Sequence, residues 1–427
     1  LQVKMILILS LANTNCSICE MVEKIGQKYL NSRSTDEQIE LFLKQVCTLV
    51  PASVSRDCNI QQQQYYKNMF NYIQLTRSPI KMCNNVGICE DKRWHLKLQV
   101  RPNATSTEPA LFTSLYYDNQ SKTLIGATGF DKQKVQGNSK IYLSTDKGNT
   151  WKVVLNSSAK GIYNLIKWND TTLLALADTV DNSIIISSDQ GQTWQNLGRK
   201  ITSFDQSAMN ANGTLFFSQT SGSVLRTKDL KTFTQLQIGP PDIDMTRAMC
   251  HDSRVLLFGS GVSLAQDSLI VKSDDQDYKF RTIYKNKLSN SNRFRFAGIQ
   301  GLITLGNREF LASDGLKILR NQDNGEFLWN VTLDLTKLNS SLTTARKFVV
   351  AKNGTTYVSF DSAFSTDYKD EPELNKHSQI WFSEDRGKTW RFHSRLNVKR
   401  CYQLVFDENE QNLFAATGEM GEIWSYQ

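Results

Sequence analysis

Three carboxylates of this 427-residue chain stand in the same eight-residue setting. Ser144-Thr-Asp146-Lys-Gly148-Asn-Thr150-Trp151 returns at Ser187-Ser-Asp189-Gln-Gly191-Gln-Thr193-Trp194 and at Ser383-Glu-Asp385-Arg-Gly387-Lys-Thr389-Trp390. Carboxylates are where acid–base chemistry is sought first, because two of them held at different pKa values can protonate a leaving group and activate water. Such a pair must converge across a cleft. Here each aspartate instead comes with a hydroxyl two residues before it and a glycine two after. That is turn chemistry: short oxygen-bearing side chains accept local backbone N–H bonds, glycine takes positive φ, and Thr and Trp resume a strand. Asp146, Asp189 and Asp385 are therefore expected to serve their own turns, and Trp151, Trp194 and Trp390 to pack between neighbouring elements.

The other reactive residue types are six cysteines crowded into one short stretch: Cys16, Cys19, Cys47, Cys58, Cys83 and Cys89. The opening CxxC admits zinc, but the remaining spacing fits no zinc module, and an even set in a short helical stretch reads as a disulfide framework. Spacing alone leaves fifteen pairings open. Cys250 and Cys401 fall on expected inner strands and read as buried free thiols. The four histidines, His95, His251, His377 and His393, form no HExxH pair, and no GxSxG elbow is present. Nothing in the sequence calls for a metal or a cofactor.

Between the cysteines the apolar spacing is helical. Ile18, Val22, Ile25 and Tyr29 share one expected face, as do Ile39, Phe42, Leu43 and Val46. Ser34 with Glu37 reads as a capping box, Pro51 as the stop of that helix, and Ser78-Pro79 as the start of the last one. Over residues 16–90 this stretch resembles a saposin domain, including the closing run from Pro79 to Cys89. The resemblance implies the pairs Cys16–Cys89, Cys19–Cys83 and Cys47–Cys58, four or five amphipathic helices, and an affinity for lipid. Gln61 to Gln64, read as opening the third helix, are more polar than a membrane-inserting face would be.

The remaining four-fifths of the chain is organised by the repeated turn. Counting weaker copies at Asp229, Asp275 and Asp323, successive aspartates lie 43, 40, 46, 48 and 62 residues apart. A period in the forties with several short strands per unit predicts a β-propeller. The turn resembles the Asp-box, or BNR repeat, of sialidase-like and sortilin-like propellers. Each unit reads as four strands, with inner strands near Phe112, Tyr163, Ser207, Ala248, Arg295, Lys347 and Cys401. The last unit lacks an outer strand, and Trp94–Val100 is expected to supply it, since an unpaired edge invites aggregation. The fold class is thus a small disulfide-bonded all-α domain (16–90) followed by an all-β propeller (94–427), seven-bladed, with six as the alternative. Residues 1–15 read as an apolar segment, a strand or helix extension, with a signal remnant as the alternative.

Sialidases of this resemblance use an Arg-Ile-Pro segment, three arginines on separate blades and a Tyr–Glu pair. The nearest match, Val100-Arg101-Pro102, lacks the residue between Arg and Pro. Eight Asn-x-Ser/Thr sequons stand at Asn103, Asn119, Asn156, Asn169, Asn212, Asn330, Asn339 and Asn353. With the cysteine framework they place the chain in a secreted, extracellular or lysosomal setting. The net charge of +8 is spread along the chain without a basic run, which argues against nucleic acid. The longest loop, Asp361–Gln379, carries Asp361, Phe364, Asp367, Tyr368, Asp370, Glu371 and Glu373 as candidate ligand residues. These features favour a glycoprotein that binds rather than catalyses: lipid or a membrane surface through the helical domain, and a protein or glycan through the propeller. The alternatives are a sialidase-like glycoside hydrolase acting on lipid-linked glycans and a structural subunit of an extracellular assembly.

Overall fold

The computed structural model describes residues 18–31, 33–76, 79, 82–85, 94–100, 111–129, 139–178, 183–200, 207–210, 212–219, 223–237, 248–252, 255–259, 268–274, 279–286, 298–322, 326, 328–336, 342–362, 377–396, 398, 400–409, 411–418 and 421–426. Its N-terminal part is helical: α1 (residues 18–29), α2 (Asp36–Gln45), a 3₁₀ turn (Val46–Thr48), α3 (Ala52–Thr76) and α4 (Met82–Asn85). The capping box of α2 lies one residue later than the sequence suggests. Thr35 Oγ1 accepts from the Gln38 N–H at 3.3 Å, and Gln38 Oε1 accepts from the Thr35 N–H at 2.9 Å. Both pairs fit the capping pattern, and the backbone turns at the second. Gln61 to Gln64 lie inside α3 rather than at its start, and α2 ends before Pro51 is reached.

Ile18, Val22, Ile39, Phe42, Leu43, Val46, Met69, Ile73 and Met82 form the core of this helical unit. Tyr29 does not join it and stands 63% exposed at the end of α1. Two disulfides tie the helices, Cys19–Cys83 across α1 and α4, and Cys47–Cys58 from the 3₁₀ turn to α3. Cys16 and Cys89 lie outside the described residues.

Seven four-stranded antiparallel sheets follow. β1 (Trp94–Gln99) precedes the first blade, which is β2 to β5 (Leu111–Asp118, Thr123–Gly129, Ser139–Ser144, Lys152–Ser157). The second blade is β6 to β9 (Ile162–Lys167, Leu173–Ala177, Ser183–Ser187, Gln195–Lys200). The third is β10 to β13 (Ser207–Met209, Leu215–Gln219, Ser223–Thr227, Thr234–Gln237). The fourth is β14 to β17 (Ala248–Asp252, Val255–Gly259, Ser268–Asp274, Phe280–Asn286). The fifth is β18 to β21 (Ile299–Gly306, Glu309–Asp314, Lys317–Asn321, Asn330–Asp334). The sixth is β22 to β25 (Leu342–Val350, Thr356–Ser362, Ser378–Ser383, Arg391–Leu396). The seventh joins β26 to β28 (Cys401–Asp407, Asn412–Thr417, Glu422–Tyr426) with β1 in the order β1-β28-β27-β26.

The register of that last sheet runs from Trp94 opposite Tyr426 to Gln99 opposite Glu422. One end of the propeller chain therefore completes the blade begun by the other, and β2 lies beside both β6 and β26, which closes the ring. Arg295, taken from the sequence as an inner-strand residue, lies outside the described residues; the inner strand of that blade is β18. The middle strands are the apolar ones. β3 and β7 are buried along their whole length, because each is covered by the sheets on both sides. Hydrophobic clusters accordingly span blade boundaries: Ile125 and Ala127 of the first blade pack with Ile162, Leu173 and Ala175 of the second.

Candidate functional site

Each of the repeated turns is a closed hydrogen-bond unit. Ser144 Oγ donates to Asp146 Oδ1 at 2.8 Å and accepts the Gly148 N–H at 2.7 Å. The Thr150 N–H and hydroxyl both donate to the Asp146 carboxylate, at 2.8 and 2.6 Å. The turns at Asp189 and Asp385 repeat these bonds within 0.1 Å of the same lengths. Thr227, Asp229 and Thr232 make a version one residue shorter. Asp275 and Asp323 lie outside the described residues. The bonds from Thr150, followed by the one from Ser144, hold the Asp146 carboxyl down at about 2. Burial works against ionisation at Asp385, but the Thr389 bonds prevail and leave it at about 2.

Two successive residues in each full turn have positive φ, Lys147 with Gly148, Gln190 with Gly191, and Arg386 with Gly387. The glycine is required twice over. A Cβ at Gly191 would lie 2.5 Å from Ile125 Cδ1, and one at Gly387 would lie 2.6 Å from Leu311 Cδ2. Each of these turns thus presses its glycine against a middle strand of the preceding blade. Trp151 and Trp194 donate their indole N–H groups to the carbonyls of Gly148 and Gly191, whereas Trp390 donates to Thr332 Oγ1 of the fifth blade. All three tryptophans are half-buried. These carboxylates are occupied by their own turns and stand apart from one another on separate blades, so they present no acid–base pair.

The opposite face of the ring, where β23 ends and β26 begins, gathers a different set. The sequence places Asp361 in a loop with its side chain available to ligand; the structure corrects this. Asp361 is the penultimate residue of β23, is 2% exposed, and forms an ion pair with Arg346 Nε. Its other oxygen accepts the Cys401 N–H at 3.0 Å. The strand continues beyond the point where polar composition suggests a loop, and residues 358–362 are buried on both of its faces. Arg346 also lies over the Tyr402 ring, 5.0 Å from its centre, and Arg400 Nη1 donates to the Tyr402 hydroxyl at 3.2 Å. Burial pushes the Asp361 carboxyl up, opposed by the charge of Arg346. The Cys401 thiol is fully buried and pushed up by burial beside Asp361, so it is a packed, unreactive sulfur. Cys250 is likewise buried and unbridged. Phe364, Asp367, Tyr368, Asp370, Glu371 and Glu373 lie outside the described residues.

A tyrosine–carboxylate pair lies between the fourth and fifth blades. Tyr284 donates to Asp314 Oδ2 at 2.8 Å, with Asn286 and Ser268 also donating to Asp314. Both Tyr284 and Asn286 belong to the outermost strand of their blade, away from the inner strands. Burial, reinforced by Asp314, pushes the Tyr284 phenol well above its ordinary value, the reverse of what a nucleophile needs. Among the described residues no group of three or more His, Cys, Asp or Glu side chains is placed to hold a metal ion. No described helix is long and apolar enough to cross a membrane.

Of the sequons, Asn156, Asn169, Asn212, Asn330 and Asn353 are exposed, while Asn103 and Asn339 lie outside the described residues. Asn119 is half-buried, accepts the Glu408 N–H at 2.7 Å and donates to the Phe406 carbonyl.

No family model matches the chain. Over 77 residues it is 30% identical to saposin-C of Cavia porcellus, an alignment spanning 18% of this chain and 95% of that protein. Through its N-terminal helical unit, this chain belongs to the saposin family. The saposin domain is also 31% identical over 74 residues to prosaposin of Gallus gallus, of which the chain spans only 14%. The propeller is similar in fold to YCF48 bound to a D1 peptide (TM-score 0.52, 15% identity, 79% of this chain and 96% of that one). It is similar too to YCF48 of Cyanidioschyzon merolae (TM-score 0.51, 10% identity, 78% and 98%). A third likeness is to the extracellular domain of a hybrid two-component system of B. thetaiotaomicron (TM-score 0.54, 11% identity, 77% and 39%).

Proposed function

We propose that this chain is a non-catalytic binding protein of an oxidising, secreted or lysosomal-type compartment, which joins a lipid-engaging saposin domain to a propeller that holds a protein or glycan partner. The observation that carries this reading is the saposin domain itself, complete enough to align with 95% of saposin-C and stapled by two disulfides. Disulfides of this density persist where thiols are not kept reduced. The exposed sequons at Asn156, Asn169, Asn212, Asn330 and Asn353 would carry glycans; Asn119, with its amide already engaged, would not.

The partner face of the propeller is the one where β23 ends, with Asp367, Tyr368, Asp370, Glu371 and Glu373 supplying acidic and aromatic contacts for a basic or carbohydrate partner. The turns at Asp146, Asp189 and Asp385 would serve as fastenings in the manner of Asp-boxes. Support for binding over hydrolysis comes from the site chemistry: the Tyr284 phenol is held protonated, and Asp361 is spent on Arg346 and Cys401. Flotation of the purified full chain with vesicles of phosphatidylcholine and phosphatidylserine tests the lipid half. Chain that stays at the bottom of the gradient at both pH 5 and pH 7 contradicts it. Release of sugar from a lipid-linked glycan on incubation would contradict the non-catalytic half.

A further inference from the structure

The sixth blade holds an arginine unlike its neighbours. Arg320 pairs with Glu309 and with the Arg386 carbonyl, Arg386 with Glu309, and Arg346 with Asp361. Arg395, in β25, has its Nε and Nη1 buried with no hydrogen-bond partner among the described residues. The residue opposite it in the register is Gln379, whose Oε1 already accepts the Trp381 N–H at 3.1 Å. The nearest charged residue on its own strand, Arg391, is paired with Glu384. No described carboxylate therefore reaches the buried edge of this guanidinium.

The place of Arg395 matters as much as its want of a partner. Helix α4 of the saposin domain runs beside β25. That helix is held firmly from within its own domain, since Met82 is fully buried in the helical core and Cys83 is bridged to Cys19. Arg395 thus sits on the strand where the two domains meet. Burial lowers its guanidinium only to about 10, so it remains charged at neutral and acidic pH. A guanidinium with two orphaned donors on different edges, Nε–H and Nη1–H, draws a carboxylate or phosphate oxygen into a charge-assisted bond at either edge.

We infer that Arg395 anchors an oxyanion site at the seam between the saposin domain and the sixth blade, taking a phosphate or carboxylate group. The group can arrive free in solution or on the headgroup of a lipid engaged by the saposin domain. The site itself does not depend on the lipid reading; only the second source does.

The test uses the full chain with its disulfides intact. Its melting temperature is measured in inorganic phosphate against chloride at matched ionic strength, for the parent, Arg395→Gln and Arg395→Lys. Phosphate well above its Kd is expected to raise the parent by a few degrees, through selective binding to the folded state. Arg395→Gln is expected to lose that rise, and Arg395→Lys to keep part of it. Equal shifts in parent and Arg395→Gln, or no shift in the parent, overturn the site. If Arg395→Gln does not fold, Arg395→Lys decides, and a shift in it equal to the parent's overturns the site. Flotation with phosphatidylserine vesicles then separates the sources. Weaker flotation of Arg395→Gln assigns the site to a headgroup, and unchanged flotation with a lost phosphate shift assigns it to a free anion. If no variant floats, the lipid reading fails while the phosphate shift still decides the site.

Discussion

Trp94 donates its indole N–H to the Ser394 hydroxyl at 3.1 Å, across 300 residues of chain. The same ring meets Tyr426 edge-on, with centroids 5.2 Å apart. One side chain thereby fastens the first strand of the propeller to its last strand and to the outer strand of the sixth blade. Trp94→Ala is expected to cost about 3–5 kcal/mol, the range for removing a large buried aromatic. Trp94→Phe, which keeps the bulk and loses the bond, should cost about 1 kcal/mol. Chemical denaturation checks both, and a Trp94→Ala protein as stable as the parent would mean that the ring is not held shut here.

The repeated turns should matter to stability and not to binding. Ser187 is fully buried and serves two bonds, one to Asp189 and one from Gly191. Ser187→Ala leaves the Gly191 N–H buried and unpaired, for about 1–3 kcal/mol. Gly191→Ala should be at least as harmful, since its Cβ collides with Ile125 at a φ of +87°. Both variants, assayed at temperatures where they are folded, are expected to retain vesicle and partner binding. A Ser187→Ala protein of parental stability that no longer binds would move the working face to this rim.

Acid should loosen these turns late. The Asp146 carboxyl titrates at about 2 in the folded chain against an ordinary 3.8. The folded state therefore holds its proton less tightly than the unfolded state. The stabilisation is fully present above the ordinary value, declines as pH falls below it, and is gone once pH has passed through about 2. A ¹³C titration of the side-chain carboxyl should show Asp146 still ionised at pH 3.5. A midpoint near 4 would show that the Thr150 and Ser144 bonds do not form in solution.

The buried pair of Arg346 and Asp361 predicts strong non-additivity. Arg346→Met strands a carboxylate that is 2% exposed, at about 3–5 kcal/mol. Asp361→Asn alone leaves a guanidinium with a weaker acceptor, and the double variant should recover part of the first loss. Urea denaturation of the four proteins gives the coupling, and additive losses would show that the two side chains do not pair.

Much of this architecture is legible in the chain because it is written in local, repeating chemistry. Six cysteines at fixed spacing point to the saposin domain, and a turn recurring at intervals of 40 to 62 residues points to the propeller, whose seventh blade is read from the strands after Cys401 together with Trp94–Val100. What escapes is whatever depends on contacts distant in sequence. Asp361 looks like a loop residue until Arg346 and Cys401 are seen beside it. Thr35 and Gln38, rather than Ser34 and Glu37, cap α2 because adjacent pairs both fit the pattern and only the backbone path chooses. Tyr29 keeps helical spacing with Ile18 and Val22, yet its face has turned out of the core by the end of α1. Arg395 carries no sequence signal at all: its interest lies in what fails to reach it.

The most direct test is native mass spectrometry of the full chain purified with its disulfides formed, before and after their reduction. The account predicts lipid bound to the folded, oxidised protein and its release once the Cys19–Cys83 and Cys47–Cys58 bridges are opened. Oxidised chain that carries no lipid and takes none up from phosphatidylserine vesicles would contradict it.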